Sequence, residues 1–253
     1  MKLLLVPGHG LKRINGKWCF SRPLMMHNAG CEHMEIVSDS ICLEDWNSFA
    51  EHSENLSIDE EFVYREDWGT VAIANYIKKN DFRFPDIVFN YRANLDLCVE
   101  YPQEFKFGFL GFKFGNLFYE SMLSSNFYGE GAAIMRRVKL INQTHDERDT
   151  FLVSLHSNAI NGNIAALKHA KGMEIFYYTR EKEARLLSNI MKSYGFKVRF
   201  ISKANFAIVK KTKMPALLIE MFYHTNAEDI IEFVQNIDNF VNGLAEFMEE
   251  VRT

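Results

Sequence analysis

The stretch Phe151-Leu-Val-Ser-Leu-His-Ser-Asn158 joins an apolar run to a polar end. Its first part, Phe151–Leu155, has the length and composition typical of a buried β-strand. Two other runs have the same character: Leu3–Val6, which is stopped by Pro7-Gly8, and Ala216–Met221, which follows a proline. We therefore predict three buried strands, each ending among polar residues.

Helical patterns lie between these strands. In the final one, Asn226 is suited to cap a helix whose apolar stripe continues to Val251. Shorter apolar runs at Ile87–Phe89 and Met173–Tyr178 add two strands. The other predicted helices are Asp67–Asn80, Ala132–Thr144 and Glu181–Tyr194, the last with Gly195 at its C-terminal end.

Alternation of strands and helices predicts an α/β fold. We expect a mostly parallel twisted sheet with helices on both faces, built as a single domain over residues 1–253. Two stretches, at about 11–63 and 100–131, do not follow the alternation and are interpreted as insertions. The first is expected to be largely irregular, with one strand within Ile36–Leu43. The second interleaves phenylalanines with glycines, which favours strands turning near Gly111 or an aromatic loop over a cleft.

Composition excludes several classes of protein. The chain has 253 residues, 47% hydrophobic and 25% charged, with a net charge of −4, so it lacks the basic field expected of a nucleic-acid-binding protein. Its four cysteines form no CxxC pair, which favours separate thiols over a metal knuckle. The apolar run near the N-terminus is too short for a signal peptide, and no run is long enough to insert in a membrane. The oligomeric state stays open.

Three polar side chains follow the predicted strands: His9, His156 and Glu220. Ligands of α/β sheets bind beyond the carboxyl ends of the strands, and parallel strands bring those ends together. Two histidines and carboxylates in one cleft are the components of a catalytic zinc site. Each residue taken alone is more typical of an ordinary polar loop position, and it is their occurrence at equivalent strand ends that favours a site.

Four stretches together carry a family resemblance. Val6-Pro-Gly-His-Gly10 resembles the opening motif of the zinc-dependent N-acetylmuramoyl-L-alanine amidases of the amidase-3 type, a family of cell-wall and phage-lysin enzymes. Phe151–Asn158 is similar to the family's histidine-bearing strand, and Arg137–Asn142 resembles the helix before it. Lys213–Asn226 is similar to the late Pro-Ala, strand and Glu motif. The four stretches keep the family's order along the chain.

The resemblance implies roles for individual residues. His9 and His156 would be zinc ligands, and Glu220 would be the catalytic carboxylate. The third ligand would be a Glu near the start of the first helix, for which Glu66 is the best match. Because His9 and Glu66 are 57 residues apart, further than the family pattern leads us to expect, three other glutamates stay open as alternatives. They are Glu35, Glu60 and Glu61. The resemblance also assigns Asn158 and Arg137 to substrate binding.

The implied activity is zinc-dependent hydrolysis of the amide between N-acetylmuramic acid and L-alanine in peptidoglycan. Zn²⁺ would polarise the carbonyl and acidify water, and Glu220 would move the proton. The expected setting is a phage endolysin that is made in the cytoplasm without a signal peptide and acts on the wall after release.

Two alternatives stay open. One is another zinc amide hydrolase, deformylase-like or carboxypeptidase-like; the latter would use an arginine such as Arg92, Arg136 or Arg137 to bind a substrate carboxylate. The other is a catalytically silent cell-wall-binding relative, against which the presence of Glu220 argues.

Overall fold

The short apolar runs of the chain form the strands of one central sheet and of two small ones. A computed structural model describes residues 1–9, 11–14, 17–20, 24–28, 34–38, 61–64, 66, 70, 73, 74, 76, 77, 87–89, 130–160 and 169–252. Its strands are β1 (Lys2–Pro7), β2 (Leu11–Ile14), β3 (Lys17–Phe20), β4 (Leu24–Asn28), β5 (Met34–Ser38), β6 (Glu61–Tyr64), β7 (Ile87–Phe89), β8 (Thr150–Asn158), β9 (Met173–Tyr177), β10 (Val198–Lys203) and β11 (Ala216–Tyr223).

The central sheet has the strand order β10-β9-β11-β8-β1-β7. Strands β7, β1, β8 and β11 run parallel to their neighbours, and β10 runs parallel to β9. Among the described strands of this sheet, the β9–β11 pairing alone is antiparallel. The predicted mostly parallel sheet is therefore confirmed, while the reversal at β9 and the strand β10 were not predicted. β10 is an edge strand of mixed polarity, and its largely exposed side chains give little apolar signal.

Helices cover both faces of this sheet, as predicted. They are α1 (Glu130–Thr144), α2 (Glu181–Ser193), α3 (Ala207–Lys211), α4 (Ala227–Gln235) and α5 (Ile237–Glu250). The described residues 66, 70, 73, 74, 76 and 77 are also helical, and we call them the Glu66 helix.

Alternate residues of the central strands point to opposite faces and build two cores. Leu3 and Leu5 pack in one core with residues of α2, α4, α5 and the Glu66 helix. Leu4 and Val6 pack in the other core with residues of α1 and α3. The strands β1, β8 and β11 are buried on both sides, which explains their nearly continuous apolar sequences.

The predicted single C-terminal helix is wrong, because the chain forms two helices that meet at Asn236. The backbone N–H of Asn236 donates to Glu232 O and Phe233 O, and its side-chain Nδ2 donates to Glu232 O at 2.9 Å. The side-chain bond is of the local kind by which asparagine competes with regular helical bonding. The apolar stripe continues through the break, so periodicity alone could not reveal it.

The first proposed insertion contains more strands than expected. β2 and β3 form an antiparallel pair, and β4 pairs with both β5 and β6. Part of the strand expected within Ile36–Leu43 is found in β5. Of the second stretch, 100–131, only residues 130 and 131 are described, at the start of α1, so the predicted aromatic strands lie outside the described residues. No helix in the described part of the chain is long and apolar enough to span a membrane.

Candidate metal centre

Two predicted ligands, His9 and His156, are brought together by the pairing of β1 with β8. Pro7 lies opposite Leu155, and the Gly8 N–H donates to the Leu155 carbonyl at 2.6 Å. The strands therefore end side by side, with the two imidazole centroids 4.9 Å apart and the rings nearly perpendicular. His9 adopts a left-handed backbone conformation, with φ of 58°.

Glu66 completes the cluster from the Glu66 helix. Its Oε1 lies 3.1 Å from His9 Nε2 and 3.1 Å from His156 Nδ1. The backbone N–H of Ser157 donates to the same oxygen at 3.3 Å. The Thr70 hydroxyl is 2.9 Å from Glu66 O and 3.3 Å from Gly8 O, so it ties the helix to the loop after β1.

Within the described part of the chain, the group of possible metal ligands consists of His9, Glu66 and His156. Glu35 and Glu61 belong to β5 and β6 of the separate three-stranded sheet, and Glu60 lies outside the described residues.

The electrostatic state of the cluster suits metal binding. Burial acts to raise the pKa of the Glu66 carboxyl, but the hydrogen bonds and charges of His156 and His9 outweigh it and hold that pKa well below its usual value. The pKa of His156 is lowered, because burial lowers it more than the hydrogen bond and charge of Glu66 raise it. A carboxylate beside a neutral His156 imidazole is a state in which these groups bind a metal ion.

The spacing of the donor atoms also fits zinc. The ligand atoms of His9, Glu66 and His156 all lie within 4.8 Å of one another. With bonds of about 2.0–2.1 Å, neighbouring ligands of tetrahedral zinc are roughly 3.4 Å apart. Two nitrogens and one oxygen, with a further position left open, are a donor set found in catalytic zinc sites.

Gly8 is required by the close approach of the two ligand segments. A Cβ atom at this position would lie 2.4 Å from His156 Nδ1 and 2.5 Å from His156 Cε1, well inside van der Waals contact. The Pro-Gly-His sequence thus allows the loop to pass directly against the second histidine.

Arg137 lies behind the ligand loop. Its side chain is buried, and it donates from Nη1 to Pro7 O at 2.9 Å and from Nη2 to His9 O at 2.7 Å. One guanidinium therefore holds both carbonyls that flank the turn into His9. Its predicted contact with substrate stays a prediction, since the observed contacts are with the backbone of the loop.

Glu220 stands beside the cluster on the neighbouring strand. It is the register partner of His156 on β8 and of Glu174 on β9. Residues paired in register project from the same face of a sheet. The half-buried Glu220 and His156 are therefore neighbours on one face, at the edge where the strands end.

Asn158, also predicted to bind substrate, donates from Nδ2 to Glu174 Oε2 at 2.9 Å. The Tyr223 hydroxyl donates to Glu174 Oε1, and Arg199 Nη1 lies 3.5 Å from that oxygen. Glu174, Tyr223 and Arg199 were missed by the sequence reasoning. The available signal was the acid within the apolar strand Met173–Tyr177, since glutamate is seldom buried without partners.

Ser157 and His224, also missed by the sequence reasoning, form a pair that supports β8, the strand that carries His156. Ser157 Oγ lies 3.0 Å from His224 Nδ1, and that nitrogen is 2.9 Å from Ser157 O. Both side chains are buried. Because the Ser157 N–H contacts Glu66, this pair helps to fix the backbone that holds the carboxylate.

Comparison with known proteins places this geometry in context. A family model described as N-acetylmuramoyl-L-alanine amidase matches residues 125–246. This match confirms the predicted resemblance to that family and the predicted enzyme class. Comparison with curated protein sequences finds no match.

Several solved structures resemble the chain. The catalytic domain of CwlV, an N-acetylmuramoyl-L-alanine amidase from Bacillus (Paenibacillus) polymyxa var. colistinus, is 16% identical with a TM-score of 0.53, covering 99% of this chain and 98% of that one. An N-acetylmuramoyl-L-alanine amidase from Clostridium difficile 630 is 17% identical with a TM-score of 0.55, covering 98% and 95%. The catalytic domain of the CD27L endolysin targeting Clostridia difficile is 15% identical with a TM-score of 0.50, covering 97% of each chain. At these identities the likeness shows a shared fold.

Proposed function

Because residues 125–246 match the N-acetylmuramoyl-L-alanine amidase family model, we propose that the chain hydrolyses the amide between N-acetylmuramic acid and L-alanine in peptidoglycan with the help of zinc. The observation that carries the zinc dependence is the convergence of His9, Glu66 and His156, with Glu220 one strand away in register with His156.

The three converging residues would hold the ion. His9 Nε2, His156 Nδ1 and Glu66 Oε1 are the donor atoms that face one another, and their spacing fits zinc. Zinc bound there would supply Lewis acidity, which polarises an amide carbonyl and makes water a stronger acid. Ser157 N–H and Thr70 keep Glu66 in place for this task.

Glu220 would serve as the general base and then as the general acid. An amide nitrogen is a poor leaving group unless it is protonated as the bond breaks. The Glu220 carboxylate lies on the His156 side of the sheet edge, where it can accept a proton from the attacking water and pass it to the L-alanine nitrogen. A fixed carboxylate in such a role contributes about 10²- to 10⁴-fold to rate.

The proposed catalytic domain comprises residues 1–253, with insertions at about 11–63 and 100–131. We place its biological role in phage lysis, as an endolysin. The support for this setting is that an endolysin catalytic domain shares the fold, at a TM-score of 0.50.

The activity is tested by incubating zinc-loaded protein with isolated peptidoglycan and measuring newly exposed N-terminal L-alanine. We expect L-alanine ends to appear, and to vanish when a chelator is added. Glu220→Gln should retain zinc but lose at least about 100-fold in turnover, because only the proton acceptor is removed. His156→Ala should lose the metal itself.

The outcomes separate the competing functions. Release of other amide products without L-alanine ends would identify a different zinc hydrolase. Zinc binding without any hydrolysis would identify a binding protein. Full turnover in Glu220→Gln would remove Glu220 from the mechanism.

The endolysin setting needs its own measurement. Protein added to membrane-permeabilised bacteria should clear the suspension, whereas Glu220→Gln at equal concentration should not. Hydrolysis of purified peptidoglycan without clearing of cells would point to wall remodelling instead of lysis.

A further inference from the structure

A second polar group lies at the same edge of the central sheet, beyond Glu220. It consists of Asn158, Glu174, Arg199 and Tyr223, and we call it the Arg199 cluster. Glu174 is only 3% exposed, yet its carboxylate accepts from the Tyr223 hydroxyl and from Asn158 Nδ2. Arg199 Nη1 lies 3.5 Å from this carboxylate, and its Cζ lies 4.8 Å from the centre of the Tyr223 ring. Charge and ring together fix where the guanidinium sits.

Arg199 is held in place without having its donors used. A guanidinium has five N–H donors, and a separation of 3.5 Å is too long for a strong hydrogen bond. Within the described part of the chain, Arg199 donates no hydrogen bond, whereas Arg137, Arg148 and Arg185 each donate two or more. Its side chain is 33% exposed. The cluster therefore presents to solvent a positioned cation with open hydrogen-bonding capacity.

The guanidinium is close to the bond-breaking groups. Glu174 and Glu220 are register partners on adjacent strands, and adjacent strands are about 4.8 Å apart. Tyr223, whose ring contacts Arg199, lies three residues after Glu220 on β11. Burial and Glu174 are the main causes that raise the pKa of Tyr223, and the charge of Glu220 adds to them. Because β10 lies two strands from β11, roughly 10 Å separates Arg199 from Glu220. An extended peptide advances about 3.5 Å per residue, so about three residues span that distance.

We propose that Arg199 binds a carboxylate of the peptide that is attached to the scissile amide. This inference rests on the proposed function. The carboxyl of N-acetylmuramic acid is consumed in that amide, and the N-acetyl sugars are neutral, so the anionic groups of the substrate lie on its peptide side. A guanidinium binds a carboxylate through two parallel N–H···O bonds, a geometry that lysine cannot reproduce. Arg199 thus orients the peptide and selects acidic stems.

The test compares two substrates that differ only in the charge of the second amino acid. The first is an N-acetylmuramoyl-L-alanyl compound whose second amino acid carries free carboxylates, and the other has carboxamides in their place. The wild-type, zinc-loaded enzyme should prefer the acidic compound by about 10- to 100-fold in kcat/KM, mainly through KM. Arg199→Gln should abolish this preference, and Arg199→Lys should retain only part of it. Arg185→Gln, which removes an exposed arginine from an ion pair on α2, should keep the full preference.

Equilibrium binding provides an arm that needs no turnover. In a Glu220→Gln background, calorimetry should show tighter binding of the acidic compound than of the carboxamide, and adding Arg199→Gln should remove the difference. Equal losses for both compounds in Arg199→Gln, or no loss for either, would overturn the inference while leaving the proposed function intact. If the wild-type enzyme cleaves neither compound, the proposed function fails. The calorimetry then still tests the Arg199 proposal. A preference for the acidic compound that Arg199→Gln removes would support it, and the lack of such a preference would overturn it.

Discussion

At the scale of single residues, the candidate centre depends on a glycine, Gly8, because there is no room for a larger side chain at that position. Gly8 lies so close to His156 that an added Cβ would stand 2.4 Å from Nδ1. We expect Gly8→Ala to push the His156 ring out of place and to lower zinc affinity by at least about tenfold, the effect typical of misoriented ligands. Competition with a chelating dye would measure that affinity.

Gly195→Ala is the matched control for this change. Its Cβ would meet nothing within 4 Å, although the positive φ of 93° makes the residue strained. Such strain costs about 1 kcal/mol of stability, at a position after α2 that carries none of the candidate metal ligands. Gly195→Ala should therefore destabilise the fold slightly and bind zinc normally. Equal zinc affinity in both variants would show that Gly8 does not position His156.

Arg137 acts on the same centre through the backbone. It holds the carbonyls of Pro7 and His9, and His9 adopts a left-handed conformation that is sparsely populated outside glycine. Arg137→Lys retains the charge but cannot reach both carbonyls in the same fork geometry. We expect zinc affinity to fall about 10- to 100-fold, as for other groups that orient ligands.

Arg148→Gln provides the comparison, since Arg148 is exposed and pairs only with Asp146 among the described residues. Exposed ion pairs contribute little to stability, because solvent screens them. Its zinc affinity should match that of the wild type. An Arg137→Lys protein that binds zinc as tightly as the control would exclude a positioning role and would favour the predicted contact with substrate.

The site residues that could be predicted from the sequence are those at the ends of predicted strands. His9, His156 and Glu220 each follow an apolar run, and parallel pairing then brings them together. Glu66 offered no such signal, because it comes from a helix 57 residues after His9, and only the family resemblance selected it over other glutamates. Arg199 could not be found, since its position depends on the reversed strand β9 and on irregular pairing in β10 and β11.

At the scale of secondary structure, one carboxylate joins three elements at the reversed strand. Asp229, in the first turn of α4, accepts from Gly172 N–H just before β9 and from Tyr223 N–H at the end of β11. Burial raises its pKa to about 6, against the lowering effect of these hydrogen bonds. No sequence pattern predicted these contacts, because the partners of Asp229 lie 57 and 6 residues away in the chain and contribute only backbone groups.

Asp229 gives stability a pH dependence. Its folded pKa of about 6 exceeds the ordinary value of 3.8, so the folded protein binds the proton more tightly than the unfolded chain. Stability from this group is thus greatest at low pH and is lost as pH rises from about 4 to about 6. Relative to Asp229→Asn, which does not titrate, the wild type should lose on the order of 2 kcal/mol across that range. Urea unfolding at a series of pH values measures the difference, and a difference that stays flat or grows with pH would contradict the assignment.

At the scale of the whole molecule, the candidate centre links parts of the chain that are far apart in sequence. His9 ends the second-to-edge strand β1, Glu66 comes from a helix packed against one face, and His156 ends the inner strand β8. Glu66 and His156 are 90 residues apart. An ion bound by all three would restrain the N-terminal strand, the Glu66 helix and the C-terminal half of the sheet together.

Zinc should therefore stabilise the entire fold. A ligand that binds only the folded state at 100 times its Kd adds about 2.7 kcal/mol. For a chain of this length, that corresponds to a rise in Tm of roughly 5–10 °C. Scanning calorimetry of chelated and zinc-loaded protein should show this rise in the wild type and in Glu220→Gln, which keeps every ligand. His156→Ala should show almost none, because two remaining ligands bind zinc weakly. An equal rise in His156→Ala would mean that zinc binds elsewhere, and the cluster of His9, Glu66 and His156 would lose its role as the metal site.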